Sequence, residues 1–313
     1  MRVTKDKIIF IVGPTATGKT RLGIRLARRL HSEIISADSM QIYKGMSIIS
    51  QAPTKLERRL VRHHMVGFVD PIGEFSVAHF CKKAVRIIKS ALRNRDSAVV
   101  VGGSGLYIKA LIDGIFPSPE ADLAYRDRLY KYAIRNGSPK LHEKLETIDP
   151  ESAGKIHPND TRRIVRALEI YHSTGKTKTE LVAETKGLKD EYDVFVFGLN
   201  KPRENLYSDI EDRVDKIFSE GAVSEVKRLL KKDLSRTASA ILGFKEISGH
   251  LNGDYGLDEA KELLAKNTRN FAKRQLTWFR ADKRIKWFDV SRLSDAEIIK
   301  KILKEAGINK DKR

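Results

Sequence analysis

The stretch Lys7–Thr20, KIIFIVGPTATGKT, decides the fold class of this chain. Its first six residues form a short, β-branched apolar run, which predicts a buried strand. The residues that follow fit the pattern G-x-x-x-x-G-K-T. In this pattern the glycines let backbone N–H groups approach phosphate oxygens, Lys19 adds positive charge, and the Thr20 hydroxyl is positioned for magnesium. The stretch therefore predicts a phosphate-binding loop directly after a strand.

The segments that follow the loop predict a parallel α/β sheet. Leucines at every fourth position of residues 22–30 indicate a helix that begins near the end of the loop. Glu33–Ser36 and Ala98–Val101 are further strand candidates. Strand, loop, helix and strand in this order imply parallel strands with right-handed crossovers. Because ligands in such sheets lie beyond the carboxyl ends of the strands, we expect Asp38 and Ser104 to lie close to the loop.

The character of the sequence changes at residues 116–119, Phe-Pro-Ser-Pro. From there to about residue 193 the patterns are helical, and residues 193–199 then form another apolar strand candidate. The predicted fold is α/β, with a P-loop NTPase-like parallel-sheet core at residues 1–116 and 194–313 that includes the C-terminal helices. An all-helical insertion domain at residues 117–193 interrupts this core.

Charge and cysteine content narrow the range of partners. The chain carries 60 Lys and Arg against 41 Asp and Glu, a formal net charge of +19. Nucleic acid is the usual partner for such an excess, because each cation placed on a phosphate releases condensed counterions. A membrane surface is the competing partner, but the sequence has no run of about 18 apolar residues and no signal peptide. We therefore expect a cytoplasmic protein without membrane contact. Its single cysteine, Cys81, excludes an intrachain disulfide and a Cys-rich zinc finger.

The loop pattern by itself leaves the chemistry open. A nucleotide hydrolase normally carries an acidic residue at the end of another strand, where it holds magnesium and helps to order the attacking water. The strand at Ala98–Val101 ends instead in Gly102 and Gly103. The strand at Glu33–Ser36 leads to Asp38, which could ligate magnesium or could equally take a proton from an acceptor group.

Further motifs follow the phosphate loop in a fixed order along nearly the whole chain. They are Asp38–Gly45 (DSMQIYKG), His63-His64, Asp70-Pro71, Val101–Tyr107 (VGGSGLY), His157–Asp160 (HPND), Arg162, Arg163, Arg166–Glu169 (RALE), Gly243–Glu246 (GFKE) and Ala272–Arg280 (AKRQLTWFR). Together with the loop, these motifs resemble the tRNA dimethylallyltransferases, also called tRNA isopentenyltransferases. The resemblance is to the bacterial type, which lacks the zinc finger of eukaryotic members.

The resemblance implies a reaction. The exocyclic amine of an adenosine beside the tRNA anticodon attacks the first carbon of dimethylallyl diphosphate, and diphosphate leaves. It implies that Asp38 is the general base and that Ser104 and Arg213 also take part in catalysis. Mg²⁺ near Thr20 would neutralise charge on the leaving group. The expected diphosphate-binding residues are Gly13, Pro14, Thr15, Ala16, Thr17, Gly18, Lys19 and Thr20.

The family pattern also implies contacts with tRNA, and we expect a monomer that binds it. The expected contact residues are Asp38, Ser39, Met40, Gln41, Ser104, Arg126, Arg162, Arg163, Arg166, Phe244, Lys245, Lys273, Arg274 and Arg280. The last three lie on a helix predicted from about Asp258 to Arg284, with basic residues along one face. Leu264, Phe271 and Trp278, spaced by seven, predict its buried side.

The arginines of the HPND segment differ in how well local structure explains them. Arg162 and Arg163 would lie in the first turn of a helix capped by Asp160, where positive charge opposes the helix dipole. Helix stability does not explain them, whereas an RNA phosphate or base edge would. For Arg166 the sequence favours neither of two roles, an ion pair with Glu169 or a contact with RNA.

Some positions depart from the family pattern. Ser104 stands where the family usually has Thr, which keeps the hydroxyl, and Ser50–Pro53 (SQAP) replaces the usual Thr-Ala-Lys-Pro, which loses a lysine. His63-His64 has no further His or Cys cluster nearby, so packing or a loop hydrogen bond is the better interpretation. Three alternatives stay open: an isopentenyltransferase for free adenine nucleotides, a small-molecule kinase, and an RNA-binding protein that uses the loop as a nucleotide sensor. The helical insertion and the basic helix favour tRNA.

Overall fold

The structure contains a six-stranded parallel sheet. The computed structural model describes residues 5–93, 97–116 and 119–308. The strands are β1 (Lys7–Val12), β2 (Ile34–Ser36), β3 (His63–His64), β4 (Ser97–Gly102), β5 (Asp193–Asn200) and β6 (Ile285–Asp289). Their order is β3-β2-β4-β1-β5-β6, and every neighbouring pair is parallel. The predicted α/β fold with a P-loop-like parallel sheet is confirmed.

Helices fill most of the chain between and after the strands. In chain order they are α1 (Lys19–Leu30), α2 (Lys55–Leu60), α3 (Val77–Leu92), α4 (Gly105–Asp113), α5 (Leu123–Asn136), α6 (Ser138–Ile148), α7 (Pro150–Lys155), α8 (Thr161–Thr174), α9 (Lys178–Ala183), α10 (Leu188–Glu191), α11 (Arg203–Ser219), α12 (Ala222–Leu229), α13 (Phe244–Asn252), α14 (Leu257–Arg280) and α15 (Asp295–Glu305). Within the described residues, no helix combines the length and the apolar character that a membrane crossing requires.

The sheet is buried because its central strands carry apolar side chains on both faces. Residues 8–12 of β1 are fully buried, as expected for a strand covered by helices on both sides. The regularly spaced leucines of α1 pack with Ile9 and Val99 in one hydrophobic cluster. This packing fixes the first turn of α1, and with it the phosphate loop, against the carboxyl ends of β1 and β4.

Two glycines let backbone segments meet at that edge of the sheet. A Cβ atom at Gly102 would lie 2.1 Å from the carbonyl oxygen of Ala37, and one at Gly13 would lie 2.4 Å from the carbonyl oxygen of Leu199. Gly13 also has φ +137°, which side-chain-bearing residues rarely adopt. The ends of β1, β2, β4 and β5 are therefore in direct backbone contact around the loop.

The chain separates into two compact units, Met1–Ile112 with Leu188–Arg313 and Asp113–Gly187. The second unit contains α5–α9 around a core that includes Leu141, Leu145 and Leu168. The insertion predicted at residues 117–193 overlaps this unit but differs at its ends. Residues 188–193 belong to the first unit, where α10 leads into β5 and Asp193 pairs with Lys7 of β1. The predicted starting residue, 117, and the next one lie outside the described residues.

The predicted C-terminal helix is too long. The observed helix, α14, ends at Arg280 instead of Arg284. The chain then continues into β6, an edge strand that the sequence patterns did not indicate. Arg284 therefore lies outside the helix, where its guanidinium bonds Asp282 at 2.6 Å. The predicted buried side is also only partly right: Leu264 is buried, but Trp278 is 39% exposed.

Candidate active site

The phosphate loop is closed by its own side chains. The Thr17 hydroxyl donates to the Pro14 carbonyl at 2.9 Å, and the Lys19 ammonium donates to the same oxygen at 2.5 Å. Gly18 has φ +77° immediately before α1, where glycine carries no steric penalty. Ala16 has φ +62°, an uncommon conformation for a residue with a side chain. The loop thus holds an irregular shape in which backbone N–H groups cluster at the start of a helix.

A cavity of about 280 Å³ adjoins the loop. Of the predicted loop residues, Thr15, Ala16, Gly18, Lys19 and Thr20 line it. The remaining three, Gly13, Pro14 and Thr17, are buried and support the loop from behind. Asp38, Met40, Gln41 and Arg213 line the same cavity. The structure therefore brings together the loop and two of the three residues expected to be catalytic.

Lys19, Asp38 and Arg213, which all line this cavity, have pKa values shifted from their ordinary values. Burial lowers the pKa of Lys19 to about 7, an effect that the negative charge of Asp38 partly opposes. Burial also lowers the pKa of Arg213 to about 10. Burial raises the pKa of Asp38, although the Met40 backbone N–H and both cations act in the other direction. Loss of solvation outweighs mutual attraction at all three groups, so two cations and one carboxyl remain incompletely compensated.

Arg213 is the clearest example of this incomplete compensation. Within the described part of the chain, its guanidinium forms no hydrogen bond and no ion pair. Arginine stays charged at neutral pH even with a lowered pKa, and its planar group matches phosphate oxygens. A guanidinium that lines a cavity beside a phosphate loop is therefore well placed for an anionic ligand.

Asp38 is held by the loop that follows β2. Its Oδ1 accepts a hydrogen bond from the Met40 N–H at 2.9 Å. Next to it, the Ser39 N–H donates to the Ser104 hydroxyl at 2.8 Å, and that hydroxyl donates to the Ser39 hydroxyl at 3.0 Å. Ser104, the third residue expected to be catalytic, thus fixes the segment that carries the carboxylate, although it is not part of the cavity lining.

Part of the remaining cavity wall is apolar. Its side chains come from three regions, the loop before α2, helix α11 and the α13–α14 region: Ile49, Val214, Ile217, Leu242, Leu264 and Phe271. Apolar walls beside a phosphate-binding end suit a ligand with an anionic head and a short hydrocarbon part.

Two buried polar atoms on the same cavity lack partners. They are the Ser50 hydroxyl oxygen and His63 Nε2, and no other side chain of the described residues bonds them. His63 Nδ1 lies 2.8 Å from the Val61 carbonyl, and His64 Nε2 lies 2.6 Å from Glu33. Of the two interpretations offered for this histidine pair, packing or a loop hydrogen bond, the structure shows a hydrogen bond at each ring. His63 has the additional property, not foreseen from sequence, of facing the cavity.

The donor atoms at the loop fit magnesium that is carried by a phosphorylated ligand. The Thr20 hydroxyl and the Asp38 carboxylate both line the cavity. The described residues contain no group of three or more His, Cys, Asp or Glu side chains that could hold a metal ion by themselves. Mg²⁺ commonly uses one or two protein oxygens and completes its shell with phosphates and water.

Comparison with known proteins identifies the family. The family model described as IPP transferase matches residues 41–282. A tRNA dimethylallyltransferase of Carboxydothermus hydrogenoformans is 46% identical over 306 residues, which cover 97% of this chain and 98% of that protein. Another, from Halothermothrix orenii, is 46% identical over 91% of this chain and 88% of that protein. This chain belongs to the IPP transferase family.

Solved structures agree with this family membership. The full-length tRNA isopentenylpyrophosphate transferase of Bacillus halodurans is 38% identical, with a TM-score of 0.71 and 97% of each chain covered. A eukaryotic dimethylallyltransferase described as acting on tRNA is 29% identical, with a TM-score of 0.78 over 95% of this chain and 78% of that one. The resemblance inferred from the sequence motifs is confirmed.

The residues expected to contact tRNA in the first unit of the chain lie in different settings. Asp38, Met40 and Gln41 line the cavity, and Ser39 and Ser104 lie beside it. Lys245 is exposed at the start of α13, next to Phe244, which packs on a hydrophobic cluster. Lys273, Arg274 and Arg280 are exposed on α14. The basic residues are therefore accessible to a large ligand, and none of them lines the cavity.

Two of the expected RNA-binding arginines in the second unit are joined by a buried carboxylate. Glu169 is fully buried; Arg126 binds it in a bidentate geometry at 2.7 and 2.9 Å, and Arg166 also bonds it. Arg166 further donates to the Pro119 carbonyl at 3.3 Å. The ion pair that the sequence left open for Arg166 is therefore formed, and Arg126 shares the same partner.

The arginines in the first turn of α8 remain exposed. Asp160 caps the helix through the Arg163 N–H at 3.2 Å, and its second oxygen pairs with the Arg163 guanidinium at 3.3 Å. Arg163 thus has a local role that the dipole argument omitted. Arg162 is exposed at the same helix end.

Sequence motifs did not reveal the role of Gln275. It is buried on α14, its amide contacts both the phosphate loop and the turn after β4, and it lines the cavity. The one sequence feature that could have indicated this role is that Gln275 is a polar residue on the buried side of α14, which also carries Thr268, Ala272 and Phe279.

Proposed function

We propose that this protein is a tRNA dimethylallyltransferase. It transfers a dimethylallyl group from dimethylallyl diphosphate to the exocyclic amine of the adenosine next to the tRNA anticodon, and it releases diphosphate. The observation that carries the proposal is one cavity in which Lys19 and Arg213 lie with the Asp38 carboxylate beside apolar walls. The names of the relatives support the same reaction.

The cationic end of the cavity suits the leaving group. As the bond between the first prenyl carbon and the diphosphate oxygen breaks, its electron pair leaves with the diphosphate. Lys19 and Arg213 are already desolvated and incompletely compensated, so they interact strongly with that growing negative charge. Because both side chains already line the cavity, they need not be brought there as the charge develops.

Asp38 suits the role of proton acceptor. Forming the bond between the adenine nitrogen and the prenyl carbon leaves an excess proton on that nitrogen, and a carboxylate at the site can take it. Burial raises the pKa of Asp38, which makes the carboxylate a better base than an exposed aspartate. The bond from the Met40 N–H fixes the orientation of this carboxylate.

Magnesium is part of the proposal as a companion of the diphosphate. The Thr20 hydroxyl would hold the ion, together with oxygens of the diphosphate and of water. When bound, the ion would neutralise charge on the diphosphate oxygens.

Binding of tRNA follows from the charge distribution as well as from the relatives. The net charge of +19 and the exposed Lys245, Lys273, Arg274 and Arg280 offer many contacts for RNA phosphates. In the second unit, Arg162 is exposed, and Arg126 and Arg166 are held at fixed positions by Glu169. We propose that the protein acts as a monomer on tRNA in the cytoplasm.

The proposal is tested by supplying dimethylallyl diphosphate and Mg²⁺ with either an unmodified tRNA transcript or AMP. Mass spectrometry of the digested RNA should detect one prenylated adenosine. A transcript in which guanosine replaces the adenosine beside the anticodon is the matched control and should remain unmodified. Prenylation of AMP but not of tRNA would contradict the proposal and favour an enzyme for free adenine nucleotides.

A further inference from the structure

The side chain of Gln275 joins two segments that are distant in sequence. Its Oε1 accepts a hydrogen bond from the Thr15 N–H at 2.9 Å, and its Nε2 donates to the Gly103 carbonyl at 2.9 Å. The residue is only 6% exposed. A single amide on α14 therefore ties the phosphate loop to the turn that follows β4.

Only a side chain with both an acceptor and a donor at its tip can form these two bonds. A carboxylate would oppose the Gly103 carbonyl with a second negative oxygen, and an aliphatic side chain would leave a buried N–H and a buried C=O without partners. The space for the amide depends on Gly103, because a Cβ atom there would lie 2.3 Å from Gln275 Nε2. The amide and the glycine are thus fitted to each other.

The same turn touches α14 a second time. A Cβ atom at Gly105 would lie 2.2 Å from the Trp278 ring. Gln275 and Trp278 are three residues apart and therefore lie on neighbouring turns of one helix face. Between the two contacts lies Ser104, whose hydroxyl holds the segment of Asp38. Helix α14 thus supports both the loop and the serine that positions the proposed base.

The bond to Gln275 also determines what Thr15 offers to a ligand. A backbone N–H has one proton, and at Thr15 that proton is directed to Gln275. Thr15 lines the cavity and can therefore contribute its hydroxyl, but its N–H is withheld. The next residue, Ala16, has φ +62°, a conformation that persists only when the surrounding structure enforces it.

We propose that Gln275 is a positioning residue for the diphosphate of the donor substrate. It acts through Thr15 and Gly103 by holding the phosphate loop in the shape that binds diphosphate. The identity of the ligand rests on the proposed function. The geometry of the Gln275 clamp, meaning its two hydrogen bonds to Thr15 and Gly103, does not.

The test compares Gln275→Met with the wild-type protein. Calorimetry with magnesium diphosphate measures the loop directly, and a filter assay measures tRNA affinity. Methionine keeps the length of the side chain but loses both hydrogen bonds, so we expect diphosphate to bind about tenfold to a hundredfold more weakly. The KM for dimethylallyl diphosphate should rise by a similar factor. The Kd for tRNA should stay within about twofold.

A second variant, Gln275→Glu, gives a readout that a packing role would not produce. The ionised carboxylate can accept from Thr15 but repels the Gly103 carbonyl. The protonated acid has both an acceptor and a donor, as the amide has. The ratio of the variant Kd to the wild-type Kd for diphosphate should therefore fall as the pH is lowered from about 8 to about 5.5. This ratio decides the inference if the methionine variant does not fold.

The matched control is Thr277→Ala, on the same helix. Thr277 is exposed, and its hydroxyl bonds the Lys273 carbonyl of its own helix. The Thr277→Ala variant should bind diphosphate with the affinity of the wild-type protein. Unchanged diphosphate affinity in Gln275→Met would overturn the inference, and so would an equal loss of tRNA and diphosphate affinity. A wild-type protein that binds diphosphate but does not prenylate tRNA would contradict the proposed function only.

Discussion

Asp38 combines two properties that a base in a transfer reaction needs. It is fixed by the Met40 N–H, and burial keeps its pKa above the ordinary range. Replacing Asp38 by Asn keeps the size of the side chain but removes the proton acceptor. We expect kcat for tRNA prenylation to fall by a factor of about 10² to 10⁴. Diphosphate affinity should be retained or should increase, because a negative charge near Lys19 and Arg213 is lost.

The control for that variant is Asp254→Asn, at an exposed position outside the cavity, which should leave kcat unchanged. Single-turnover assays with labelled tRNA measure the loss. Retention of more than about a tenth of the wild-type kcat by Asp38→Asn would show that the carboxylate is not the base.

The lowered pKa of Lys19 leads us to expect that diphosphate binding depends on pH. With a pKa of about 7 in the free protein, its amine is mostly neutral at about pH 8. A bound anion favours the charged form, so binding at that pH should take up protons, and affinity should decrease as the pH rises above about 7. Calorimetry in buffers of different ionisation enthalpy measures this uptake. Lys19→Arg, which stays charged throughout, should lose it; equal uptake in both proteins would assign the proton to another group.

Single residues also mark the limit of inference from sequence. The family motifs indicated Lys19, Asp38 and Arg213, and the structure places all three on one cavity. The clamp at Gln275 was not indicated, because its two partners are distant in sequence and meet it only in the folded chain. Arg126 likewise gave no sign of its bond to Glu169, since the two residues lie on different helices.

Helix α12 supports the cavity through one buried carboxylate. Glu225 is 2% exposed and accepts the N–H groups of Ile48 and Ile49, which precede the cavity residues Ser50 and Gln51. In Glu225→Leu both N–H groups lose their partner, so we expect the free energy of unfolding to fall by about 2–4 kcal/mol. The KM for dimethylallyl diphosphate should rise as the segment loosens.

Chemical denaturation and steady-state kinetics test this together. Glu262→Leu, at an exposed glutamate on α14, is the control and should change neither quantity appreciably. An unaltered denaturation midpoint in Glu225→Leu would contradict a supporting role for the carboxylate.

Among the elements, those with a strong local pattern were the predictable ones. β1, the loop and α1 combine an apolar run, a glycine motif and regular leucines, and all three lie where the sequence predicts them. β6 was missed because an edge strand is short and half-exposed, so its alternation is weak and its pairing with β5 is a long-range effect. The same strand explains why α14 ends four residues before the predicted position.

For the molecule as a whole, the excess of positive charge predicts a strong effect of salt on tRNA affinity. Log Kd should rise linearly with log salt concentration, because each phosphate contact releases counterions. Replacing Lys273 and Arg280 together by Ala should reduce that slope by about 1.4–1.8 if both bind phosphates. Lys300 and Lys301, exposed on α15, form the matched control pair and should leave the slope unchanged. If the slope is equal in both double variants, Lys273 and Arg280 of α14 do not bind RNA phosphates.

The glycines around Ser104 have a consequence for how this sequence can vary. Gly102, Gly103 and Gly105 each meet a different neighbour at less than 2.5 Å from the position of a missing Cβ: the Ala37 carbonyl, the Gln275 amide and the Trp278 ring. In a library of variants that samples every amino acid at these positions, selection for active protein should therefore recover only glycine at positions 102, 103 and 105. Position 104, between them, should accept threonine as well as serine, so that mutational tolerance changes from residue to residue within a single turn.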